Sequence, residues 1–552
     1  MSWTGTPIPR RRLFAAAVLV LCLAAALGRG AASEGASPAP TTLRVTVASL
    51  PDYLDPQLSY TNEGWAAMYN TYIPLLTFRH ASGRAAADLV PGLAEDLPEV
   101  SDGGRTYTLF LRPGLRYSDG TPVRASDFEY AIKRMFELNS GGTPFYFAIA
   151  GARSFSRSGR GGISGITSNN ETGRITIHLL RSDGAFDYLL ALPFAAPVPP
   201  DTPMQDRTFS PPPATGPYAI TRSEPGVGWS YARNPAWATG NGPLLPQLPG
   251  GHMDRIEVRV IREEDAQIKG VLSGKLDWMQ NPPSADRFGE LRRKYGGTRF
   301  RAESTLTTNY FWMNTTKPPF DDVRVRRAVN FAVDRSVLRR IYRGQITPSQ
   351  QILPPGMPGY RKLELYPYDL KKARRLIAAA DPSDREVTVW ASTEARQPQA
   401  ASYYRSQLQK LGFRARLKLV DAISYLFVVG NRSTPNLDTG WGNWFADYSH
   451  PDDFFRPLLL GSNIRRFFNG NFARIDVPAL DARIEKLRQR RLGPACERRY
   501  AALDRSYMKL APWVPYGSFT ASTFVSKAVD LDGIVWNPLF GADLASFRFE
   551  DR

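Results

Sequence analysis

The order of elements between residues 386 and 420 constrains the fold more than any other stretch of the chain. Glu386-Val-Thr-Val-Trp390 predicts a strand, and Ala400 to Leu411 predicts a helix that ends at Gly412. Arg414 to Val420 predicts the next strand. Two strands joined through a helix indicate a parallel sheet with a helical crossover, so we expect an α/β fold.

The chain is too long for a single hydrophobic core. Its 552 residues predict two or three domains, and a hydrophobic content of 43% can fill a large interior. The formal net charge is +18, but 52 acidic residues are interspersed among the bases and no long block of like charges occurs. The basic balance therefore indicates a solvated surface, and we expect no nucleic-acid partner.

The first residues have the pattern of an export signal. Consecutive arginines from position 10 precede the apolar stretch Leu13 to Leu27, and small residues follow. We assign residues 1–32 as a signal peptide and 33–41 as a flexible tether, and we leave open whether export is by the general or the twin-arginine route. The mature protein is expected in the periplasm or elsewhere outside the cytoplasm. Cys496 is then its only cysteine, which excludes an intrachain disulfide.

Several local patterns predict helix starts. Ser126 is expected to cap a helix that begins at Asp127, and Asp322 to Tyr342 predicts one long helix with a basic exposed face. The carboxylate pairs Asp321-Asp322 and Asp452-Asp453 stand at turns or helix starts, where capping explains them.

Residues 441–455 include six aromatic residues, on either side of the carboxylate of Asp447. The nearest Lys or Arg in the chain is Arg432 before it and Arg456 after it. An ionised carboxylate in apolar surroundings is costly unless a partner neutralises it. Asp447 is therefore a solvent-facing loop residue, the partner of a distant base, or the binding group for a cationic ligand, and the residues alone leave these alternatives open.

Motifs for catalysis, metals and nucleotides are absent from the sequence. The four histidines are scattered without the spacing of a metal site, and neither a nucleophile elbow nor a phosphate-binding loop occurs. We therefore predict no catalytic residue, no metal site and no cofactor, and keep a secreted enzyme as the weaker alternative.

One long segment resembles a known family. From Ser101 to Arg134 the chain reads as turn, strand, turn and helix, and includes Tyr117-Ser-Asp-Gly-Thr-Pro-Val123. This segment resembles the signature of the family 5 extracellular solute-binding proteins, the oligopeptide-, dipeptide- and nickel-binding proteins of bacterial ABC importers. Ala214-Thr-Gly-Pro-Tyr218 and Lys317-Pro-Pro-Phe-Asp-Asp322 extend the likeness in the same order.

The resemblance implies the two-lobed α/β fold of the type II periplasmic binding proteins. Mixed sheets flanked by helices would form two lobes, with a hinge between them and an extra inserted subdomain. The implied segments are 42–60, 198–305 and 516–552 for lobe I, 61–197 for the inserted subdomain, and 306–515 for lobe II. The chain would cross the hinge near Thr307-Thr308 and Val514-Pro515.

The resemblance also implies a ligand site. Trp444-Phe-Ala-Asp-Tyr448 matches a motif whose aspartate holds the α-ammonium of the ligand in peptide-binding members, which gives that role to Asp447. Nearby aromatic residues would form the pocket walls. The full set of expected ligand-binding residues is Asp447, Trp444, Trp441, Phe445, Tyr53, Asn309 and Tyr516.

The expected function follows from that site. We expect a monomer that captures peptides, or another small solute, between its lobes and delivers them to the membrane permease of an ABC transporter. A non-peptide solute such as a metal chelate or an oligosaccharide is the alternative on the same fold.

Overall fold

The computed structural model describes residues 41–550. The predicted signal peptide, 1–32, lies outside the described residues, as does nearly all of the predicted tether, 33–41. The last two residues of predicted lobe I, 551–552, also lie outside them. None of the helices in the described part of the chain has both the length and the apolar character of a membrane span.

The strands are short except for Trp513–Val525, which has 13 residues. In chain order they are β1 (Thr42–Val47), β2 (Leu76–Phe78), β3 (Leu89–Pro91), β4 (Glu99–Ser101), β5 (Thr106–Phe110), β6 (Ile166–Ser168), β7 (Arg174–His178), β8 (Tyr218–Glu224), β9 (Gly228–Arg233), β10 (Arg255–Val260), β11 (Trp278–Met279), β12 (Phe300–Ser304), β13 (Thr307–Met313), β14 (Ile346–Thr347), β15 (Glu386–Ser392), β16 (Arg414–Val420), β17 (Thr439–Phe445), β18 (Trp513–Val525), β19 (Trp536–Asn537) and β20 (Gly541–Ala542).

The two longest helices of the described chain lie in its second half. In chain order the helices are α1 (Asn62–Met68), α2 (Ser126–Glu137), α3 (Thr143–Tyr146), α4 (Ala152–Ser158), α5 (Phe186–Leu189), α6 (Gly242–Leu244), α7 (Glu264–Leu272), α8 (Ala285–Tyr295), α9 (Val323–Ala332), α10 (Arg335–Ile341), α11 (Leu370–Ala380), α12 (Gln397–Lys410), α13 (Ala422–Val429), α14 (Asp452–Leu459), α15 (Pro478–Arg488) and α16 (Pro494–Leu510).

A mixed sheet of twelve strands has two halves that meet at β18. In the first half, β1 lies parallel to β10 and β11, and β11 pairs with the C-terminal part of β18. In the second half, β13 lies antiparallel to β17 and to the N-terminal part of β18. The strand before it, β12, pairs with the C-terminal part of β18. The chain therefore changes sheet halves between β12 and β13 and again within β18.

The predicted crossover between residues 386 and 420 is confirmed. β15 and β16 pair in parallel from Glu386 and Arg414 to Ser392 and Val420, and α12 connects them. β15 also lies parallel to β17, which joins this unit to the strand that precedes Asp447.

Residues 61–197 hold two small sheets of their own. β2 pairs with β3, and β4, β5, β7 and β6 form a four-stranded antiparallel sheet. Buried residues of α2, including Phe128, Ile132 and Met135, belong to the same hydrophobic core as Tyr107 and Ile177 of that sheet. These elements form the segment predicted as an inserted subdomain, whose boundaries remain a prediction.

Two predictions about helix starts were wrong. The single helix expected from Asp322 to Tyr342 is two helices, because Asp334 leaves helical geometry and its side chain accepts a hydrogen bond from Ser336 N to start α10. Ser126 does not cap α2. Asp127 instead turns back and accepts hydrogen bonds from Arg124 N and the Tyr117 hydroxyl, each 2.9 Å long.

Candidate ligand-binding site

Glycines and aromatic residues alternate along β17 and fix where the site begins. A Cβ atom on Gly440 would lie 2.7 Å from the Trp312 ring, and one on Gly442 would lie 2.7 Å from the Tyr310 ring. The absence of these side chains lets the rings of β13 pack closely against β17. Tyr310 in turn stacks on Trp513 of β18 with ring centroids 3.8 Å apart. The three strands therefore form a rigid base for the loop that follows β17.

Asp447 lies just past the end of this base. The last paired residue of β17 is Phe445, opposite Thr307, and Ala446 N still donates to Leu306 O at 2.9 Å. Asp447 is the first residue beyond that ladder and is partly buried. The sheet therefore fixes the backbone position of Asp447, and the carboxylate takes no part in the strand pairing.

A second carboxylate, Asp453 of α14, stands against Asp447, and we call the two residues the acid pair. Asp453 Oδ2 accepts hydrogen bonds from Asp447 N at 2.9 Å and from Trp444 Nε1 at 3.1 Å. Asp447 Oδ2 accepts one from the Tyr60 hydroxyl at 3.1 Å. These three donors are neutral, and no Lys, Arg or His within residues 41–550 forms an ion pair with either carboxylate.

Burial dominates the electrostatics of the acid pair. It raises the pKa of Asp447 to about 7, against the weaker opposing effects of hydrogen bonds with the Tyr60 hydroxyl and the Asp453 carboxyl group. It raises the pKa of Asp453 well above the usual range, and the nearby charge of Asp447 raises it further. A cation beside the pair would reverse this effect, because an opposite charge favours the ionised form.

Tyr60 approaches Asp447 from a distant part of the chain. Its ring stacks on Trp65 at 5.6 Å and meets Phe145 and Phe194 edge-on at 5.9 and 5.5 Å. Phe145 also meets Tyr448, the residue after Asp447, at 6.3 Å. The acid pair is therefore bounded on one side by β17 and α14 and on the other by an aromatic wall from the first 200 residues.

A cavity of about 270 Å³, which we call the aromatic cavity, is lined in part by residues that neighbour Tyr60 and Asp447 in the chain. Asn62 and Glu63 on one wall follow Tyr60 closely in the chain, and Phe445 and Ala446 on the other precede Asp447. Neither Asp447 nor Tyr60 lines the cavity itself. Its aromatic lining residues are Trp278, Phe445, Phe519, Trp536 and Phe540.

The predicted site residues form two groups of three, and Tyr53 belongs to neither. Asp447, Trp444 and Phe445 come together: Trp444 donates to the acid pair, and Phe445 is 38% exposed and lines the aromatic cavity. Tyr53 is partly buried and is not among the residues that line the cavity. Its contact with a ligand stays a prediction.

Trp441, Asn309 and Tyr516 lie in the strand layer behind the site. Trp441 Nε1 donates to the Tyr516 hydroxyl at 2.9 Å, and that hydroxyl also lies 3.1 Å from the Tyr342 hydroxyl. Asn309 Nδ2 donates to Gly517 O at 3.2 Å. The three side chains are buried and support β13, β17 and β18, so their role as ligand contacts stays a prediction.

The prediction that capping explains the Asp452-Asp453 pair was wrong. α14 begins without a side-chain cap, and the Asp453 carboxylate accepts from Trp444 and Asp447 instead. The other pair behaves as expected, because Asp322 accepts from Arg324 N at 2.7 Å and caps α9. Of the residues that the structure describes, no group of three or more metal-binding side chains comes together.

Sequence reasoning also missed Tyr60 and Glu63. Tyr60 is separated from Asp447 by 387 positions, so no local pattern connects the two. Glu63 stands in the first turn of α1, where an acidic residue is expected for helix stability alone.

The arrangement is that of a two-lobed solute-binding protein, and comparison with known families agrees. The model of the bacterial extracellular solute-binding proteins, family 5, middle region, matches residues 88–466. The chain belongs to this family. Its fold is accordingly the two-lobed α/β fold of the periplasmic binding proteins.

Individual relatives cover nearly the whole chain. Heme-binding protein A of Haemophilus influenzae is 26% identical in an alignment of 545 positions that covers 93% of this chain and 93% of that one. The solved structure of clavulanic acid biosynthesis oligopeptide binding protein 2 is 26% identical, with a TM-score of 0.83 over 92% of this chain and 95% of that one. Helicobacter pylori DppA, an ABC transporter-associated periplasmic protein in complex with the peptide STSA, has 20% identity and a TM-score of 0.69 over 93% and 99%.

Proposed function

We propose that the protein is the extracytoplasmic solute-binding component of an ABC importer and that it captures peptides by their free amino terminus. The observation that carries this proposal is the acid pair. One buried and one partly buried carboxylate accept only neutral hydrogen bonds within the described residues, although charges withdrawn from water are normally paired. A ligand that brings its own positive charge satisfies them.

An α-ammonium group fits this requirement closely. It donates up to three hydrogen bonds and carries a positive charge, so in a water-poor site it forms strong charge-assisted bonds with carboxylates. The aromatic wall around Tyr60 supplies apolar and cation–π contact beside it. The peptide backbone can pair with extended protein segments, which gives affinity without selecting every side chain.

We also propose the lobe boundaries that the family resemblance implies. Residues 42–60, 198–305 and 516–552 would form lobe I, with 61–197 inserted, and 306–515 would form lobe II. The exchange of sheet partners between β12 and β13 and within β18 supports a hinge at these places. Because Tyr60 and Asp447 would come from opposite sides of that hinge, a ligand between them favours closure.

We further propose a monomer that passes its ligand to a membrane permease, binds no nucleic acid and performs no catalysis. A heme-like solute is the alternative that one relative's name suggests. Heme carries two carboxylates, whereas the acid pair is negative and Glu63 is the charged residue among those that line the aromatic cavity. This charge balance favours a cationic ligand over an anionic one.

The direct test is calorimetric titration of short peptides with the wild-type protein and the Asp447→Asn variant. The substitution keeps the side-chain size but removes the charge, so we expect it to cost about 2–5 kcal/mol of binding free energy. Asp381→Asn is the matched control, because that side chain is 89% exposed after α11. Equal peptide affinity in all three proteins would refute the proposal.

A further inference from the structure

The aromatic cavity offers a second feature beyond the acid pair. Two of its lining segments are continuous in the chain with that site, since Asn62 and Glu63 follow Tyr60 and Phe445 and Ala446 precede Asp447. A ligand whose amino terminus lies at the acid pair can therefore place a neighbouring group in the cavity.

Glu63 gives the cavity a negative charge. Of the described residues that line it, Glu63 alone is charged, and none is basic. Its Oε1 atom lies 3.5 Å from Asn281 Nδ2, and Asn281 Oδ1 accepts a hydrogen bond from Ala48 N at 2.8 Å. The bond to Ala48 fixes the amide so that its NH₂ group faces Glu63. The carboxylate is thus positioned by a neutral side chain and lacks an ion-pair partner within residues 41–550.

The rest of the lining suits a long side chain with a charged end. Aromatic faces from Trp278, Trp536 and Phe540 can contact methylene groups, and they attract cations through their π systems. Trp536 Nε1 already donates to Ser304 O at 2.8 Å, which holds that ring in place. The volume leaves room for such a side chain together with several water molecules at about 30 Å³ each.

We propose that the aromatic cavity is a side-chain pocket that selects an ammonium or guanidinium group, with Glu63 as its counter-ion. The proposal rests on the proposed function, because it assumes a peptide whose amino terminus lies at Asp447. It narrows the substrate class to peptides that carry lysine or arginine near that terminus. An apolar pocket with a merely hydrated Glu63 is the competing interpretation.

The test compares tripeptides of alanine that carry lysine, norleucine or glutamate at the second or the third position. Norleucine keeps the apolar stem of lysine and lacks the charge. With wild-type protein we expect calorimetry to show about tenfold or tighter binding of the lysine peptide than of the norleucine peptide at one position. A hydrogen bond between charged groups contributes enough binding free energy for a difference of this size. Glutamate should bind most weakly there.

Glu63→Gln should abolish the preference by weakening lysine binding alone, and Glu63→Asp should restore part of it. Asp447→Asn should instead weaken the lysine and norleucine peptides by the same factor. Thermal unfolding of each variant checks that the fold is intact. Equal affinity for lysine and norleucine peptides would overturn the pocket assignment while leaving peptide binding in place. A wild-type protein that binds none of the peptides would overturn both.

Discussion

Two groups of buried carboxylates lie where residues from the first 200 positions meet the region after residue 440, and they differ in how their charge is neutralised. In one, Asp183 accepts from Arg488 at 2.6 Å and Asp187 from Arg491 at 2.8 Å. In the other, the acid pair of Asp447 and Asp453 accepts only from neutral groups.

This difference in charge neutralisation distinguishes a structural contact from a candidate binding site. A carboxylate with an internal arginine is satisfied in the absence of ligand, so Asp183 and Arg488 help to hold the two regions together. The acid pair has no such partner in the described chain, and burial raises the pKa of both members. It can hold its charge fully only when a cation arrives from outside.

Removing the internal base should have the largest effect on stability. Arg488→Ala leaves Asp183 buried without its partner, and Asp452 loses a base 4.0 Å away. We expect the free energy of unfolding to fall by about 3–5 kcal/mol, measured by chemical denaturation.

Arg181→Ala is the control for that experiment. Arg181 pairs with Glu485 between the same two regions of the chain, but the two side chains are 57% and 36% exposed. Its loss should change the free energy of unfolding by about 0.5 kcal/mol or less. A similar cost for both substitutions would contradict the distinction between buried and exposed pairs.

The acid pair should behave in the opposite way. The folded protein holds the proton of Asp453 to higher pH than the unfolded chain, so ionisation costs stability as pH rises above the unfolded pKa of about 4. Asp453→Asn retains an acceptor for Trp444 and Asp447 but cannot ionise. We expect it to raise the free energy of unfolding by about 1–3 kcal/mol near pH 8 and to change it little near pH 4.

Denaturant curves at the two pH values measure this difference, with Asp381→Asn as the exposed control. A loss of stability in Asp453→Asn at the higher pH would mean that the acid pair is satisfied without ligand.

A smaller effect is expected in the pH dependence of peptide binding. In the free protein the pKa of Asp447 is raised to about 7 by burial, and a bound ammonium lowers it again. Peptide affinity should therefore fall as pH drops below about 7, by at most tenfold per pH unit for one proton. Calorimetry with Asp447→Asn should give a flatter profile between about pH 5.5 and 7, where peptide amines stay charged.

The sequence predicted the framework better than the site. Strands and the crossover helix between residues 386 and 420 follow from local apolar patterns, and the matched motifs indicate the two-lobed fold. The break at Asp334 was missed because a basic helical pattern continues through it, whereas a side-chain cap to Ser336 N starts a new helix.

Within the site, only groups close to Asp447 in sequence could be predicted. Trp444 and Phe445 were found because they belong to the same strand end. Tyr60 and Glu63 are distant from Asp447 in sequence, and tertiary packing determines their positions. No local sequence pattern predicts that packing. Trp441 was expected in a pocket wall because of its aromatic character, but the structure pairs its indole with the Tyr516 hydroxyl in the strand layer.

The most direct test compares a short peptide with its N-acetylated form, titrated into wild-type protein and into Asp447→Asn. Acetylation removes the ammonium and the substitution removes the carboxylate charge, so the four affinities form a closed cycle. If the two charges meet in the complex, acetylation should weaken wild-type binding by about 100-fold or more and weaken the variant only slightly. Equal loss on acetylation in both proteins would contradict the account.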